Sequence, residues 1–321
     1  MKPTSAASCA VTILAPVYQS AEILPLLVDQ IEVEMTKLDL MDNFELLLVN
    51  DASKDHSWEV ISALSQSKPF LKGISLRRNF GQHNATIAGL NYAKGEIVIV
   101  IDDDLQHPPK AIGAMLEALK RDYDVCYTRY LNRQHSAWKK FGSQFNNWIA
   151  TALLRKPKEL YLSSYKAIRK EIVNEIIKYN GPYPYIDGLI LDITRSITSI
   201  DIEHQARAVG AGNYNLRKSF VLWMQMATSF SVFPLRIASI TGFLLAGLSL
   251  VTIIIVIVNK LLHPEIAAGW ASLIATILFI GGIQTLCIGV LGEYLGRAYL
   301  KLNNKPQFSV GRTTWESSIN D

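Results

Sequence analysis

The sequence predicts an α/β domain built on a parallel sheet, followed by a hairpin of two helices that cross a membrane. Over residues 11–129, short apolar runs alternate with stretches of helical period, which is typical of β-α units in a parallel sheet. Farther along, the stretches 234–258 and 269–292 are long and apolar, with Arg236 as their one charged residue. About 20 apolar residues suffice to cross the hydrocarbon layer of a bilayer, so each stretch can span it.

Five strands are predicted in the first part of the chain, each an apolar run bounded by turn residues. They are VTILAPV from 11, FELLLVN from 44, GISLRR from 73, EIVIVI from 96 and DVCYTR from 124. Helical periodicity predicts four helices between them, at 22–38, 57–64, 83–93 and 109–121. Ligands of such sheets bind beyond the carboxyl ends of the strands, so the residues that follow each strand are the candidates for a site.

Polar clusters follow three of the predicted strands, and the last cluster contains three consecutive carboxylates. The clusters are Pro16-Val17-Tyr18, Asn50-Asp51-Ala52-Ser53 and Asp102-Asp103-Asp104-Leu105-Gln106. Adjacent carboxylates repel one another strongly unless water or a cation neutralises them. Mg²⁺ and Mn²⁺ prefer oxygen ligands and bind through one or two carboxylates plus substrate phosphates, so the triplet predicts a divalent metal. The alternative is a solvated acidic turn that caps the helix beginning at Pro108 or Pro109.

The polar clusters belong to a longer set of motifs. The set is APVY, NDAS, RRNFGQHNATIAGL, IDDDLQHPP, Arg129 in TRY, Arg207 and Gly210 in RAVGAGNY, FSVFPLR and LGEYLGRAYL. With these motifs the chain resembles the family-2 glycosyltransferases that act on polyprenyl phosphates, relatives of dolichol-phosphate mannose synthase and of bacterial undecaprenyl-phosphate sugar transferases. The resemblance implies a GT-A (Rossmann-like) catalytic domain over 1–215. It also implies a nucleotide-sugar donor, a polyprenyl phosphate acceptor and a homo-tetramer.

The resemblance also assigns roles to individual residues. The donor-binding set that it implies is Pro16, Val17, Tyr18, Glu22, Asp51, Asp102 and Asp103. The set that it implies for Mg²⁺ or Mn²⁺ is Asp102, Asp104 and Gln106. The chain departs from the family pattern at three places. The pattern P-x-Y-N-E ends in Gln19-Ser20 here, the alanine common in the middle of D-x-D is Asp103, and the lysine expected after R-x-x-G-x-S is Asn213.

The expected chemistry is a direct displacement at the sugar. A lipid phosphate oxygen is already anionic near neutral pH, so the protein needs to position it and to neutralise charge rather than supply a strong base. Arginines hold phosphates by paired hydrogen bonds, which makes Arg129, Arg133 and Arg207 candidates for the acceptor phosphate, with Asp104 beside the metal. Single displacement would invert the anomeric configuration. For the arginines the alternative is a surface salt bridge.

Charges around the apolar stretches predict that both chain ends lie on the cytoplasmic side of a bacterial plasma membrane. Basic residues precede the first stretch and follow the second, whereas the loop between them holds Lys260 and His263 against Glu265. No signal peptide is expected at the start of the chain. The segment 216–233 mixes aromatic and basic residues and is predicted to be an interfacial helix that guides a lipid acceptor, or a plain connecting helix. Residues 293–321 are expected to form a cytoplasmic tail.

Composition narrows the partners. The net charge is +4 and no basic stripe occurs, so nucleic-acid binding is not expected. Cys9, Cys126 and Cys287 lie far apart in the sequence and are expected to be reduced thiols. His83 and His107 lack a second histidine at ligand spacing and are expected to cap helices or to pack locally.

Other functions fit parts of the pattern. A D-x-D after a strand also serves haloacid-dehalogenase-like phosphatases, but these need threonine or valine where Gln106 stands. A processive polysaccharide synthase is disfavoured because Q-x-x-R-W does not occur. A transferase that acts directly on a glycolipid or polysaccharide stays open. So does a non-catalytic membrane scaffold, which the residues Gln19, Ser20 and Asn213 favour and the intact acidic triplet opposes.

Overall fold

The computed structural model describes residues 9–130, 160–202, 233–263, 269–303 and 305–315 of the 321-residue chain. The chain divides into two compact units. One comprises Met1–Asn213 together with Lys305–Asp321, and the other comprises Tyr214–Asn304.

The first unit is an α/β domain, as predicted. Its first half contains β1 (Val11–Val17), α1 (Leu24–Lys37), β2 (Phe44–Asn50), α2 (Ser57–Ser67), β3 (Leu71–Leu76), α3 (Gln82–Tyr92), β4 (Ile97–Val100) and α4 (Ile112–Leu119). Its second half contains β5 (Val125–Tyr130), β6 (Lys166–Arg169), α5 (Lys170–Ile176), α6 (Ile186–Ile193), β7 (Ile197–Ile202) and the late strand β8 (Val310–Thr313).

The described strands form one sheet in the order β7-β5-β6-β4-β1-β2-β3-β8. The strands β4, β1, β2 and β3 run parallel, which confirms the parallel arrangement predicted for this part. The whole sheet is mixed, because β6 is antiparallel to β4 and β5, and β8 is antiparallel to β3. The carboxyl ends of β1, β2 and β4 therefore meet at one edge of the sheet.

Continuous apolar runs explain the central strands. Every residue of β1 and of β2 is buried, as expected for parallel strands that are covered on both faces. The helix α1 covers β1 with a stripe at helical spacing, formed by Leu24, Leu27, Val28, Ile31 and Met35. This packing fixes the loop that joins β1 to α1, where the first polar cluster lies.

The described part of 293–321, where a cytoplasmic tail is expected, contains the end of a helix and one strand. The second apolar helix continues to Leu302, and β8 then completes the sheet by pairing with β3. The amide of Thr314 donates to the carbonyl of Gly73 at 3.0 Å, and the amide of Gly73 donates to Thr314 Oγ1 at 3.0 Å. A Cβ at Gly73 would lie 2.8 Å from Thr314 Cγ2, so glycine permits this close approach. A strand of four residues has too little periodicity to be recognised in the sequence.

The second unit contains the helices α7 (Phe233–Leu262) and α8 (Trp270–Leu302). The most apolar windows are Leu235–Asn259, with mean hydropathy 2.7, and Phe279–Leu302, with mean hydropathy 1.3. Both helices are long and apolar enough to cross a bilayer. The second window lies farther along the chain than the predicted stretch 269–292. Within this unit Cys287 Sγ lies 3.8 Å from the carbonyl oxygen of Ala238, so the two helices contact each other.

Candidate active site

The three polar clusters predicted from the sequence do meet at the carboxyl edge of the sheet. The β1–α1 loop (18–21) contacts both the β2–α2 loop (51–56) and the acidic loop (101–107) that follows β4. Each of these loops contains one non-glycine residue in the left-handed region: Gln19 with φ 57°, Ala52 with φ 53° and Leu105 with φ 59°. Such residues cost about 1–3 kcal/mol each and cluster at functional sites. This shared backbone feature has no signal in the sequence.

Four successive amides of the β1–α1 loop donate to side chains of its neighbours. The pairs are Tyr18 to Asp103 Oδ2 at 3.0 Å, Gln19 to Ser53 Oγ at 3.0 Å, Ser20 to Ser57 Oγ at 3.1 Å, and Ala21 to Asp55 Oδ2 at 3.1 Å. The amides are therefore used within the protein. A nucleotide can meet this loop through side chains, above all through Tyr18, which is 44% exposed.

The other predicted donor-binding residues of this loop differ from Tyr18. Pro16 and Val17 are buried at the end of β1, directly before the exposed Tyr18. Their predicted part in donor binding stays a prediction. Glu22 is exposed just before α1.

Asp51 braces the start of α3. Its carboxylate accepts from the amide of Phe80 at 2.7 Å and from the amide of Gly81 at 2.8 Å, one to each oxygen. Burial raises the pKa of Asp51, and the two amide hydrogen bonds offset only part of that rise. The predicted contact of Asp51 with the nucleoside stays a prediction, and the structure adds a second role in holding the loop before α3.

Asp102 is held by three side chains. Gln82 Nε2 donates to Oδ1 at 2.7 Å, while Oδ2 receives the Ser164 hydroxyl and lies 2.9 Å from His107 Nε2. Burial would raise the pKa of Asp102, but the bonds from His107 and Ser164 and the nearby charge of Lys166 outweigh it, and the pKa lies below its usual range. Asp102 is therefore anionic at neutral pH. His107 packs locally, as expected from the sequence, and its partner is this carboxylate.

The pKa of the neighbouring Asp103 is shifted upward, opposite to that of Asp102. Its Oδ2 accepts from the amide of Tyr18 and, at 2.5 Å, from the hydroxyl of Ser20. Burial raises the pKa of Asp103, and the adjacent charges of Asp102 and Asp104 raise it further, against the effect of the two hydrogen bonds. Asp104 Oδ1 accepts from the amide of Gln106 at 3.1 Å, which closes the turn of the acidic loop.

The donor set of the acidic loop suits a hard divalent cation. Asp102 and Asp104 supply carboxylate oxygens and Gln106 an amide oxygen, which are ligand types that Mg²⁺ and Mn²⁺ prefer. A carboxylate has about four lone-pair positions. The three partners of Asp102 occupy only three of them, so capacity for a metal remains. Among the described residues no group of three or more His, Cys, Asp and Glu side chains is arranged to enclose a metal by itself. Substrate phosphates would have to complete the coordination.

A buried ion pair lies beside the acidic loop and has no counterpart in the predicted site. Lys166 Nζ contacts Asp187 Oδ1, and the hydroxyl of Tyr127 donates to the same oxygen at 2.9 Å. Lys166 and Asp187 are only 3% and 6% exposed. The charge of Lys166 contributes to the low pKa of Asp102. Nearby in the sequence, the ring of Tyr185 packs edge-on against the ring of His83, with 5.3 Å between the ring centres. Charged residues inside the apolar runs YKAIR and YIDGLIL are the signal that the sequence offers for this pair.

The predicted arginines have different outcomes. Arg129 forms a two-pronged pair with Asp201, with Nε 2.6 Å from Oδ1 and Nη2 3.0 Å from Oδ2. This is the surface salt bridge that was the alternative to phosphate binding, and both side chains are exposed. Arg133 and Arg207 lie outside the described residues, as do Asn213 and the predicted interfacial helix 216–233 except for its last residue, Phe233, which begins α7.

Known proteins resemble this chain along nearly its whole length. Residues 12–177 match glycosyl transferase family 2, and residues 233–298 match the GtrB C-terminal hairpin. The chain is 31% identical to undecaprenyl-phosphate 4-deoxy-4-formamido-L-arabinose transferase from Photorhabdus laumondii, covering 97% of this chain and 96% of the relative. It is 33% identical to the uncharacterized glycosyltransferase YkcC of Bacillus subtilis, covering 85% and 84%. Glucosyl-3-phosphoglycerate synthase from Mycobacterium tuberculosis matches with TM-score 0.50 at 17% identity, covering 70% of this chain and 79% of that one.

The fold, the acidic loop at the carboxyl edge of the sheet and these matches define the protein as a glycosyltransferase with a GT-A α/β domain. The likeness to the solved structure supports the fold alone. The chain belongs to glycosyl transferase family 2, and it carries the GtrB type of C-terminal hairpin.

Proposed function

We propose that the protein transfers a sugar from a nucleotide sugar to a polyprenyl phosphate, with undecaprenyl phosphate as the bacterial acceptor. A UDP-sugar is favoured, and GDP- and dTDP-sugars are the alternatives. The observation that carries the proposal is the union, in one family-2 chain, of the acidic loop with two helices apolar enough to span a bilayer. Relatives that align along nearly the whole chain are named as undecaprenyl-phosphate sugar transferases, which supports the lipid acceptor.

The residues of the acidic loop would hold the donor diphosphate. Asp102, Asp104 and Gln106 would bind Mg²⁺ or Mn²⁺, which when bound supplies positive charge for the departing diphosphate. Gln82, His107 and Ser164 hold the Asp102 carboxylate in place, so the oxygen ligands are oriented before the donor arrives.

The exposed ring of Tyr18 would lie against the nucleoside, on a loop whose amides are all held by neighbouring side chains. The acceptor phosphate would meet arginines. Arg133 and Arg207 are candidates, and Arg129 would have to leave Asp201 to take part. The lipid phosphate attacks the anomeric carbon from the face opposite the nucleoside diphosphate, so the product has the inverted configuration.

We place the catalytic unit on the cytoplasmic side of the bacterial inner membrane, with both apolar helices crossing it. The excess of basic residues at the outer flanks of the helices supports this orientation. The segment 216–233 would lie at the interface and deliver the lipid, and four copies of the chain would assemble as a homo-tetramer. The product would serve cell-envelope glycan assembly or modification.

A panel of donors tests the activity. The full-length protein in lipid nanodiscs is incubated with Mn²⁺, undecaprenyl phosphate and, in turn, UDP-, GDP- and dTDP-sugars, and the lipids are weighed by mass spectrometry. One donor class is expected to add the mass of one sugar residue, with anomeric inversion seen by NMR. Glu117→Ala, at an exposed position of α4, is the matched control and should behave as wild type. A product on a glycolipid or polysaccharide acceptor, with none on the polyprenyl phosphate, would contradict the proposal.

A further inference from the structure

Within the acidic loop, Asp103 is bound by the β1–α1 loop, whereas Asp102 is bound by α3, His107 and Ser164. We propose that Asp103 is a positioning residue rather than a ligand of the metal or the nucleotide. It clasps the β1–α1 loop to the acidic loop, so that the exposed ring of Tyr18 and the carboxylates beside it keep one relative geometry. The proposal rests on the proposed function for the reaction, and on the contacts of Asp103 for the clasp.

The contacts show what the clasp holds. A single oxygen, Asp103 Oδ2, accepts from the amide of Tyr18 at 3.0 Å and from the hydroxyl of Ser20 at 2.5 Å. Between these donors lies Gln19, whose left-handed backbone needs support from its surroundings. The next three amides of the loop are held by the β2–α2 loop and by the first residue of α2. Asp103 therefore supports the one amide of the four that belongs to the residue with the exposed ring.

The clasp also makes the residue types at positions 20 and 103 depend on each other. Here the carboxylate lies on the acidic loop and a hydroxyl on the β1–α1 loop meets it. Two carboxylates at this separation would repel each other, so the two positions are expected to change together.

Four variants test the clasp: Asp103→Ala, Asp103→Asn, Ser20→Glu and the double variant Ser20→Glu/Asp103→Ala, with Glu117→Ala as control. The first measurement is hydrogen exchange of the amides at 18–21 in the metal-free and donor-free full-length protein, which reports local opening. The second is the affinity for UDP with Mn²⁺, by calorimetry. The third is the split between KM and kcat for whichever donor the panel identifies.

Removal of the clasp should loosen the loop and weaken the donor. Asp103→Ala is expected to speed exchange at Tyr18 and to raise the donor KM about tenfold, with kcat changed about twofold at most. Asp103→Asn keeps an oxygen that accepts both bonds, so it should stay within about threefold of wild type. Ser20→Glu sets a second carboxylate against Asp103 and should be impaired. The double variant restores one carboxylate to the pair and should recover both slow exchange and donor KM.

Distinct results would overturn the clasp. If Asp103→Asn loses as much affinity for UDP with Mn²⁺ as Asp103→Ala does, Asp103 is a ligand of the metal or of the nucleotide. If the defect of the double variant equals the sum of the single defects, the two positions are not coupled. Wild-type exchange in Asp103→Ala would also sink the idea. Fast exchange in that variant, together with a wild-type protein that glycosylates no lipid, would refute the proposed function and leave the clasp standing.

Discussion

Two regions flank the site, one around the carboxyl ends of β1, β2 and β4 (the first half) and one around β5, β6 and β7 (the second half), and they are held together in different ways. Around the ends of β1, β2 and β4, carboxylates accept hydrogen bonds from backbone amides, as Asp51 does from the loop before α3 and Asp103 from the β1–α1 loop. These bonds fix the path of the chain. Around β5, β6 and β7, side chains pair with side chains of opposite charge, as Lys166 does with Asp187 and Arg129 with Asp201.

The difference teaches where the site is rigid and where it depends on charge. A carboxylate that accepts from backbone amides sets the geometry of the loop that carries them. An ion pair contributes according to its burial: the exposed pair of Arg129 contributes little, whereas the buried pair of Lys166 is costly to break on one side. The half around β1, β2 and β4 thus suits positioning of the donor. In the half around β5, β6 and β7, the buried pair of Lys166 supports the structure, whereas the exposed Arg129 can exchange its partner at little cost.

The largest expected effect tests the metal assignment in the first half. Asp104→Ala should lower transfer to undecaprenyl phosphate by at least about 100-fold, because several kcal/mol of charge stabilisation is lost with the metal. The variant should still unfold cooperatively on heating, since Asp104 is only half-buried and lies in a loop rather than in a strand of the sheet. Initial rates and thermal unfolding measure the two effects. Turnover that persists after metal chelation would show that the acidic loop acts in some other way.

The second half should respond in stability first. Lys166→Met leaves Asp187 buried without its cation, so the free energy of unfolding should fall by about 3–5 kcal/mol. Lys166→Met combined with Asp187→Leu removes both charges and should recover much of that loss. The matched control is Lys120→Met, whose partner Glu117 is exposed and which should leave the free energy of unfolding nearly unchanged. Equal effects of the two lysine variants in thermal unfolding would mean that burial does not separate them.

Changes at the edge strand β8, which lies on the side of the first half, should have a smaller effect on the free energy of unfolding. Thr314→Val removes the hydroxyl that accepts from the Gly73 amide and should cost about 1–2 kcal/mol. A domain that ends before Pro234 lacks β8 altogether and exposes the edge of β3, so it should aggregate. Rejoining residues 305–315 through a flexible linker should restore a monodisperse domain that binds nucleotide. Size-exclusion chromatography compares the two domains, and equal behaviour would show that β8 is dispensable.

The smallest expected effect concerns Arg129. Arg129→Ala should lower the free energy of unfolding by about 1 kcal/mol at most, because the pair is exposed. Its activity separates two roles. If Arg129 binds the acceptor phosphate, Arg129→Ala raises the KM for undecaprenyl phosphate while Asp201→Ala, which removes the carboxylate that the guanidinium binds here, does not. If the pair is structural, both variants give the same small change in steady-state kinetics.

Much of the fold could be read from the sequence, and the reasons are physical. The bounds of β1 and β2 coincide with the predicted runs, because a strand buried on both faces is an unbroken apolar segment between turn residues. The strands β6, β7 and β8 were not predicted. The strands β6 and β8 have four residues each and pair antiparallel with strands far away in the sequence, so local periodicity carries no trace of them. The strand β7 pairs with β5, about 70 residues earlier in the chain.

The site was predicted in its residue types more than in its contacts. The acidic triplet stands out in any reading, yet three adjacent aspartates have three different environments. Their partners come from α3, from the β1–α1 loop and from the turn itself, and only the folded chain decides which carboxylate meets which donor. For the same reason the pair of Lys166 and Asp187 was not predicted, since the two residues belong to different elements that pack together only in the tertiary structure.

The place of β8 in the chain has a consequence for biogenesis. Gly73 and Thr314 bond across a sequence separation of 241 residues, and both apolar helices lie within that interval. During synthesis the ribosome must therefore produce the whole hairpin before the last strand of the sheet exists. A chain that stalls before this point has an unpaired β3 edge, whose backbone groups are open to pairing with another strand. Completion of the sheet thus comes after synthesis of both apolar helices.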